Sequence, residues 1–258
     1  MKHILVCVKA VPVSTSVAVD GQLRLKREGT ALQWNIADES ALEAALRLTD
    51  GNGRVTVLTM GPAKLAESLS ELLARGTSRA VLITDRHMAG ADTHATAWAL
   101  AAAAEKLGPF DALFCGCKAI DGETGQVPGE LAAALGLPCV SNVESIRERG
   151  EGLVLSRRLE DGVQTLEVQG PLAVSFAAYS YPLRLAGILG MRRARKTPVE
   201  ILTAADLGLS PETCGLKGSL TKVTAMQARF PGLRRGPKET DPEAGAREFT
   251  RILREARP

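Results

Sequence analysis

A chain of 258 residues with 45% apolar content is long enough for one large domain or two small ones and apolar enough to bury a core, which excludes disorder over most of its length. A net charge of +3 and an aromatic share of 3% provide neither the electrostatic footprint nor the stacking platforms of a nucleic-acid binder. No apolar run approaches the roughly 18 to 20 residues that cross a bilayer, and five scattered cysteines (Cys7, Cys115, Cys117, Cys139, Cys214) fit reduced thiols in a cytoplasmic protein.

The opening MKHILVCVKAV is too short and lacks the small-residue cleavage site of a signal peptide; residues 3–8 read as a strand covered on both faces. Residues 17–25, centred on Asp20-Gly21, read as a small hairpin. Asn35 is placed as the N-cap of a helix with Asp38 at its third position and Ala41, Leu42, Ala45, Leu46 and Leu48 as the buried stripe. A strand over 55–60, a helix over 63–75 ended by Gly76, a strand over 80–84 and an Ala-rich helix over 92–106 follow.

Residues 112–115 then form a short apolar strand, and the stretch 119–128 carries Asp121, Gly122, Glu123, Thr124, Gly125 and Gln126 before a helix opens at Pro128-Gly129-Glu130. A polar, glycine-containing loop between the carboxyl end of a strand and a helix N-terminus points backbone N–H groups at one spot, which suits a phosphate. The plainer alternative is a strand-to-helix connection with no ligand, although two to six residues suffice for that. Cys115-x-Cys117 has no second ligand pair and reads as no metal site.

A fifth strand over 139–143, an antiparallel hairpin over 153–158 and 163–168 turned at Glu160-Asp161-Gly162, and a strand over 171–176 complete the sheet. The pattern is that of an open, doubly wound, mostly parallel α/β sheet with an antiparallel hairpin. Beyond Tyr181-Pro182 the chain reads as a loop in which Leu185, Ile188 and Leu189 precede the basic run from Met191 through Arg192 and Arg193 to Lys196, either a solvated face or a docking element. Residues 204–240 read as an extended arm. Asp241-Pro242 opens an amphipathic helix whose stripe of Phe249, Ile252, Leu253 and Ala256 needs a surface on this chain or on another subunit. The resulting division is an α/β nucleotide-binding domain over 1–203 and an arm with its helix over 204–258.

His3, His87 and His94 are isolated, and no nucleophile or acid–base pair can be argued from spacing. An adenylating or ATP-hydrolysing enzyme on a related fold would need a glycine-serine loop after the first strand, where this chain has Lys9-Ala10-Val11-Pro12. A nucleotide-sensing module is a further possibility. Binding loops without catalytic groups fit a binding or carrier subunit that is not an enzyme by itself.

KAIDGETGQVPGELAAALGLP, preceded by TDRHMAGADTHATAWALA, resembles the β subunit of electron transfer flavoproteins. VKAVPV, WNIADESALEAALRL, VTVLTMGP, LEDGVQTLEV, GILGMRRARK and ADLGL extend the resemblance over nearly the whole chain. It implies a fold related to adenine-nucleotide hydrolases and a heterodimer in which the C-terminal arm embraces an α subunit that holds most of the FAD site. It also implies an adenine nucleotide in the β subunit, AMP in housekeeping members or a second FAD in electron-bifurcating ones. Its contacts carry over to Cys7, Lys9, Asn35, Ile36, Ala37, Asp38, Met60 and Gly61, and to Ala119, Ile120, Asp121, Gly122, Glu123, Thr124, Gly125, Gln126, Val127, Pro128, Gly129 and Glu130. The family's recognition segment corresponds to 182–196, with Ile188 as apolar anchor beside Leu185, Leu189, Met191, Arg192 and Arg193, and it implies docking to flavin-dependent dehydrogenases such as acyl-CoA dehydrogenases. Pro128-Gly129 reverses the family's usual order, and Ser180-Tyr181-Pro182-Leu183 stands where housekeeping members carry Asn-Glu-Pro-Arg. The stretch around Gly187–Met191 and GLKGSLTKV look more like the bifurcating and nitrogen-fixation branches, leaving AMP and FAD both open.

Overall fold

The computed structural model describes residues 3–13, 31–49, 52–224 and 239–255; the hairpin expected over 17–25 lies outside them, as does Ala256. In chain order the elements are β1 (His3–Cys7), β2 (Ala10–Pro12), β3 (Leu32–Trp34), α1 (Ile36–Thr49), β4 (Arg54–Met60), α2 (Leu65–Arg75), β5 (Arg79–Ile83) and α3 (Thr93–Leu107). There follow β6 (Ala112–Gly116), α4 (Val127–Ala134), β7 (Cys139–Arg149), β8 (Gly152–Leu159), β9 (Gly162–Val168), β10 (Leu172–Phe176), α5 (Ile188–Ala194), β11 (Glu200–Leu202), α6 (Gly215–Gly218) and α7 (Pro242–Glu255).

Continuous apolar runs make β1, β6 and β10 strands with no face left for water, and all five residues of each are buried. They occupy the middle of a nine-stranded sheet ordered β11-β5-β4-β1-β6-β10-β7-β8-β9. Every pairing from β11 to β7 is parallel, and the β7-β8-β9 end is antiparallel. Ile4, Val6, Leu42, Leu69, Leu72, Phe114 and Phe176 form one hydrophobic layer with α1 and α2, while Leu5, Leu58, Ile83, Leu100, Leu113 and Leu131 form the other with α3 and α4. Small side chains at Ala97, Ala99, Ala101, Ala103 and Ala104 are all buried, so α3 packs close to the sheet.

The winding places β4 and β5 on one side of β1 and β6 on the other, so the connections at the carboxyl ends of β1 and β6 leave in opposite directions. That divergence opens the crevice in which ligands of doubly wound sheets bind.

Several elements depart from the expectation. The fifth strand does not stop at Val143 but runs to Arg149: a register shift beside Asn142, whose φ is +58°, lets its first half pair with β10 and its second half with β8. The stretch after Pro182 is not loop throughout, since it contains α5 and the edge strand β11. Residues 204–224 are not an extended arm. Ala204 and Cys214 are buried, the Leu216 N–H donates to the Ala89 carbonyl (3.1 Å), and Asp92 accepts from both the N–H and the hydroxyl of Thr221 (2.8 and 2.9 Å). The chain accordingly divides after Thr224, into units Met1–Thr224 and Ala225–Pro258, rather than at residue 204. Within the second unit, α7 carries Phe249, Ile252 and Leu253 at helical spacing, each at least half exposed.

Candidate functional site

The carboxyl edge of the sheet brings together the end of β1, the start of α1, the end of β4 and the loop from Cys117 to Gln126. Asp38 is the joint between them. Its Oδ2 accepts the Lys9 N–H and its Oδ1 the Gly116 N–H, each at 2.8 Å. Burial pushes this carboxyl up to about 7, against the opposing pull of hydrogen bonds from Lys9, Asn35 and Gly116. Gly116 is where the helix touches the strand: a Cβ there would lie 2.3 Å from Asp38 Oδ1 and 2.7 Å from Ala37.

Asn35 stands where a helix cap was expected, and its main-chain carbonyl accepts the N–H groups of Asp38 and Glu39 (2.9 and 3.0 Å). Its side chain, however, leaves the helix and holds the loop, with Nδ2 donating to the Lys118 carbonyl (3.0 Å) and Oδ1 accepting the Ile120 N–H (3.3 Å). The side-chain cap is therefore a correction: the amide satisfies a backbone 83 to 85 residues away instead of the N–H groups of its own helix.

Beyond Ile120 the loop turns through Glu123 (φ +49°) and Gly125 (φ +63°), and the Glu123 N–H closes onto the Ala119 carbonyl at 2.8 Å. Lys9 Nζ pairs with Asp121 at 2.6 Å and Lys118 Nζ with Glu123 at 3.3 Å, so each loop acid has a lysine beside it. Among the described residues no protein acceptor meets the backbone N–H groups of Gly122, Thr124, Gly125 or Gln126. Gln126 begins α4 without capping it by its side chain. Thr93 Oγ1 lies 3.1 Å from both Gln126 Oε1 and Glu130 Oε1, while Glu130 Oε2 is buried without a partner. Unmet donors beside a helix N-terminus, with open space over Gly122 and Gly129, fit a phosphate.

The residues singled out from sequence occupy three depths. Ile120, Gly122, Glu123, Thr124, Gly125 and Gln126 on the loop and Gly129 in the first turn of α4 are exposed, with Lys9, Ile36, Ala119, Asp121, Val127 and Glu130 partly covered. Ala37, Asp38 and Pro128 are buried beneath them. Cys7 lies deeper, in the hydrophobic layer, where hydrogen bonding to its thiol and burial push the Cys115 thiol up; Met60 packs on that layer. Gly61 donates to Ile83 (3.0 Å) and leaves no room for a Cβ, which would lie 2.6 Å from Leu65. Sequence reasoning missed Gly116, Lys118 and Thr93. Gly116, a glycine closing an apolar strand directly before the loop, was the available signal.

Away from the crevice, the segment after Pro182 is clamped at both ends. Arg184 forks onto buried Glu43 (2.9 and 3.1 Å), and its own N–H adds a third bond at 3.1 Å. Burial pushes the Glu43 carboxyl up, but Arg184 and Arg47 outweigh it and hold the group below the usual range. Gly190 then lets α5 meet the end of α2, since a Cβ there would sit 2.0 Å from the Ala74 carbonyl oxygen. Between the clamps Leu185, Ile188 and Leu189 are 87%, 68% and 79% exposed, beside exposed Met191, Arg192 and Arg193. Like the loop side chains, these residues cohere in space.

The histidines stand apart. His3 is buried at the opposite edge of the sheet, bonded to the Pro109 carbonyl (2.7 Å) and the Thr56 hydroxyl (2.9 Å), and burial lowers its pKa. His87 pairs with Asp85 and His94 stacks on Trp98. Among the described residues no group of three or more His, Cys, Asp or Glu could hold a metal ion, and no helix is long and apolar enough to cross a membrane.

Residues 22–207 match the family model described as the electron transfer flavoprotein domain. The electron transfer flavoprotein subunit beta of Thermoanaerobacterium thermosaccharolyticum is 42% identical over 226 residues, covering 86% of each chain. The caffeyl-CoA reductase-Etf complex subunit CarD of Acetobacterium woodii is 40% identical over 224 residues, again 86% of each. Protein FixA of Azorhizobium caulinodans is 39% identical over 231 residues, covering 86% of this chain and 82% of that one.

Proposed function

Because the chain belongs to the electron transfer flavoprotein family, as one of its β subunits, we propose that it forms a heterodimer with an α subunit and carries electrons from flavin-dependent dehydrogenases through FAD. An adenine nucleotide, AMP or a second FAD, sits on its own segment 119–130. FAD supplies the redox chemistry when bound; this chain supplies position and docking.

The observation that carries the nucleotide assignment is the set of unmet N–H groups of Gly122, Thr124, Gly125 and Gln126 leading into α4. The amides and the helix N-terminus take the phosphate charge. Thr124 and the free amide end of Gln126 add side-chain donors, and Lys9 balances the charge from the β1 side. Asn35 and Asp38 hold these groups in place from below. Docking is assigned to Leu185–Arg193, where an exposed apolar knob is flanked by basic residues that steer acidic partners. The stripe of α7 is assigned to the α subunit.

The test is to co-express the chain with its α subunit, record the visible spectrum, and add a reduced flavin-dependent dehydrogenase. A yellow heterodimer whose flavin is bleached by the dehydrogenase is expected. A colourless, stable monomer overturns the reading and favours a nucleotide sensor without redox role.

A further inference from the structure

Asp38 stands at the point where β1 and β6 part, with both carboxylate oxygens turned inward. The amides it holds belong to Lys9, just past the end of β1, and to Gly116, the last residue of β6. Lys9 reaches from there to Asp121 in the loop, and Gly116 leads straight into Cys117 and the loop itself. One side chain therefore sets both walls of the crevice. An ionised carboxylate offers a full acceptor on each side; a neutral acid keeps only the weaker acceptor of a hydroxyl on one of them, and a carboxamide presents a donor there and leaves an N–H facing a hydrogen.

We propose that Asp38 is the positioning residue of the nucleotide site, its ionised form fixing the Lys9 and Gly116 amides so that the loop is set for an adenylate phosphate, with phosphate binding linked to loss of the Asp38 proton. This rests on the reading that the loop holds an adenine nucleotide. The groups facing Asp38 are the Lys9 ammonium from just past β1, the Cys115 thiol from β6 and the Asn35 amide from the start of α1; the Cys7 thiol faces Cys115, and the Asp121 carboxylate faces Lys9 from the loop. Burial, with the carboxyl raised from 3.8 to about 7, leaves both protonation states populated near neutrality.

The signs separate positioning from a general structural role. A carboxyl whose folded pKa is raised costs stability in full above the folded value, and the cost is relieved as pH falls toward the unfolded value. The unliganded fold therefore gains from Asp38 as pH falls below about 7, over the same interval in which nucleotide binding weakens.

The experiment uses the intact heterodimer stripped of small molecules, with AMP as probe, followed by calorimetry in buffers of different ionisation heat. Between about pH 7.5 and 6.5, above the second ionisation of the AMP phosphate near 6, AMP affinity of the wild type is expected to fall roughly three- to tenfold with release of part of a proton on binding. Asp38→Asn is expected to bind AMP at least tenfold more weakly at pH 7.5 and to lose the slope. The wild-type profile decides the matter even if that variant does not fold. Failure of the stripped wild-type complex to take up AMP or, beyond the FAD of the α subunit, a second FAD overturns the nucleotide reading and this proposal with it, whereas tight binding of either that is flat over this interval overturns the proposal alone.

Discussion

At the scale of single residues, Gly125 bears most directly on the phosphate loop. Its φ of +63° is one that branched side chains avoid, and a Cβ would face the Cys117 carbonyl at 3.5 Å. Gly125→Val is expected to cost about 1 to 2 kcal/mol of local strain and to put bulk where backbone approaches phosphate. Adenine nucleotide per β chain, measured after denaturing the purified complex, should fall severalfold while circular dichroism stays that of a folded sheet; a folded variant with full nucleotide content contradicts the loop assignment. The residues of this loop were legible because glycines and polar groups interrupt an otherwise apolar alternation of strands and helices. The use of Asn35 was not. Sequence places it at a helix start, where a cap is the local solution, and only tertiary structure offers Lys118 and Ile120 as competing partners. For the same reason the inward turn of Asp38 could not be read from its position in the chain.

At the scale of elements, the long periodic segments announced themselves and the short ones did not. β1, β4 and β6 are apolar runs bounded by turn residues, and α3 is a capped Ala-rich helix with Asp92 accepting the Ala95 N–H at 2.9 Å. α5 has seven residues with a glycine in the middle, and β11 has three. Propensity argues against a helix that contains Gly190, yet the contact with Ala74 requires that glycine. The clamp of Arg184 on Glu43 joins residues 141 apart, a distance over which pattern carries no information. Held this way, the exposed knob can be tested without disturbing a core. Ile188→Ala is expected to slow flavin reduction by the dehydrogenase about tenfold, the loss of one buried apolar contact across an interface, with flavin content and melting temperature unchanged. Charge reversal at Arg192 and Arg193 should lower the association rate and flatten its salt dependence. Stopped-flow rates unchanged in both variants return the segment to a plain basic surface.

At the scale of the whole molecule, the chain divides into the units Met1–Thr224 and Ala225–Pro258, and the second carries α7. α7 exposes Phe249, Ile252 and Leu253 on a helix whose polar residues pair among themselves, Arg251 forking onto Glu248 and Glu255. An apolar stripe on an otherwise charged helix is the pattern of a helix that docks in a groove. Burying three such side chains is worth about 1.5 to 3 kcal/mol each before ordering costs. Truncation after Lys238 should therefore weaken association with the α subunit by two or more orders of magnitude, read as the Kd of reassembly; unchanged assembly would show that the stripe lies outside that interface.

The doubly wound sheet and its crevice were legible as a class because alternating strands and helices allow few other windings. The packing of residues 204–224 beside α3 was not, because it rests on pairings remote in sequence, such as Asp92 meeting Thr221 across 129 residues. What the crevice holds is decided by a direct count. Denaturing the purified heterodimer and identifying the released small molecules should yield, for each β chain, one adenine nucleotide in addition to one FAD: AMP if the β site takes the mononucleotide, a second FAD if it takes the dinucleotide. Recovery of a single FAD per heterodimer, with no further adenine nucleotide, would contradict the assignment of segment 119–130.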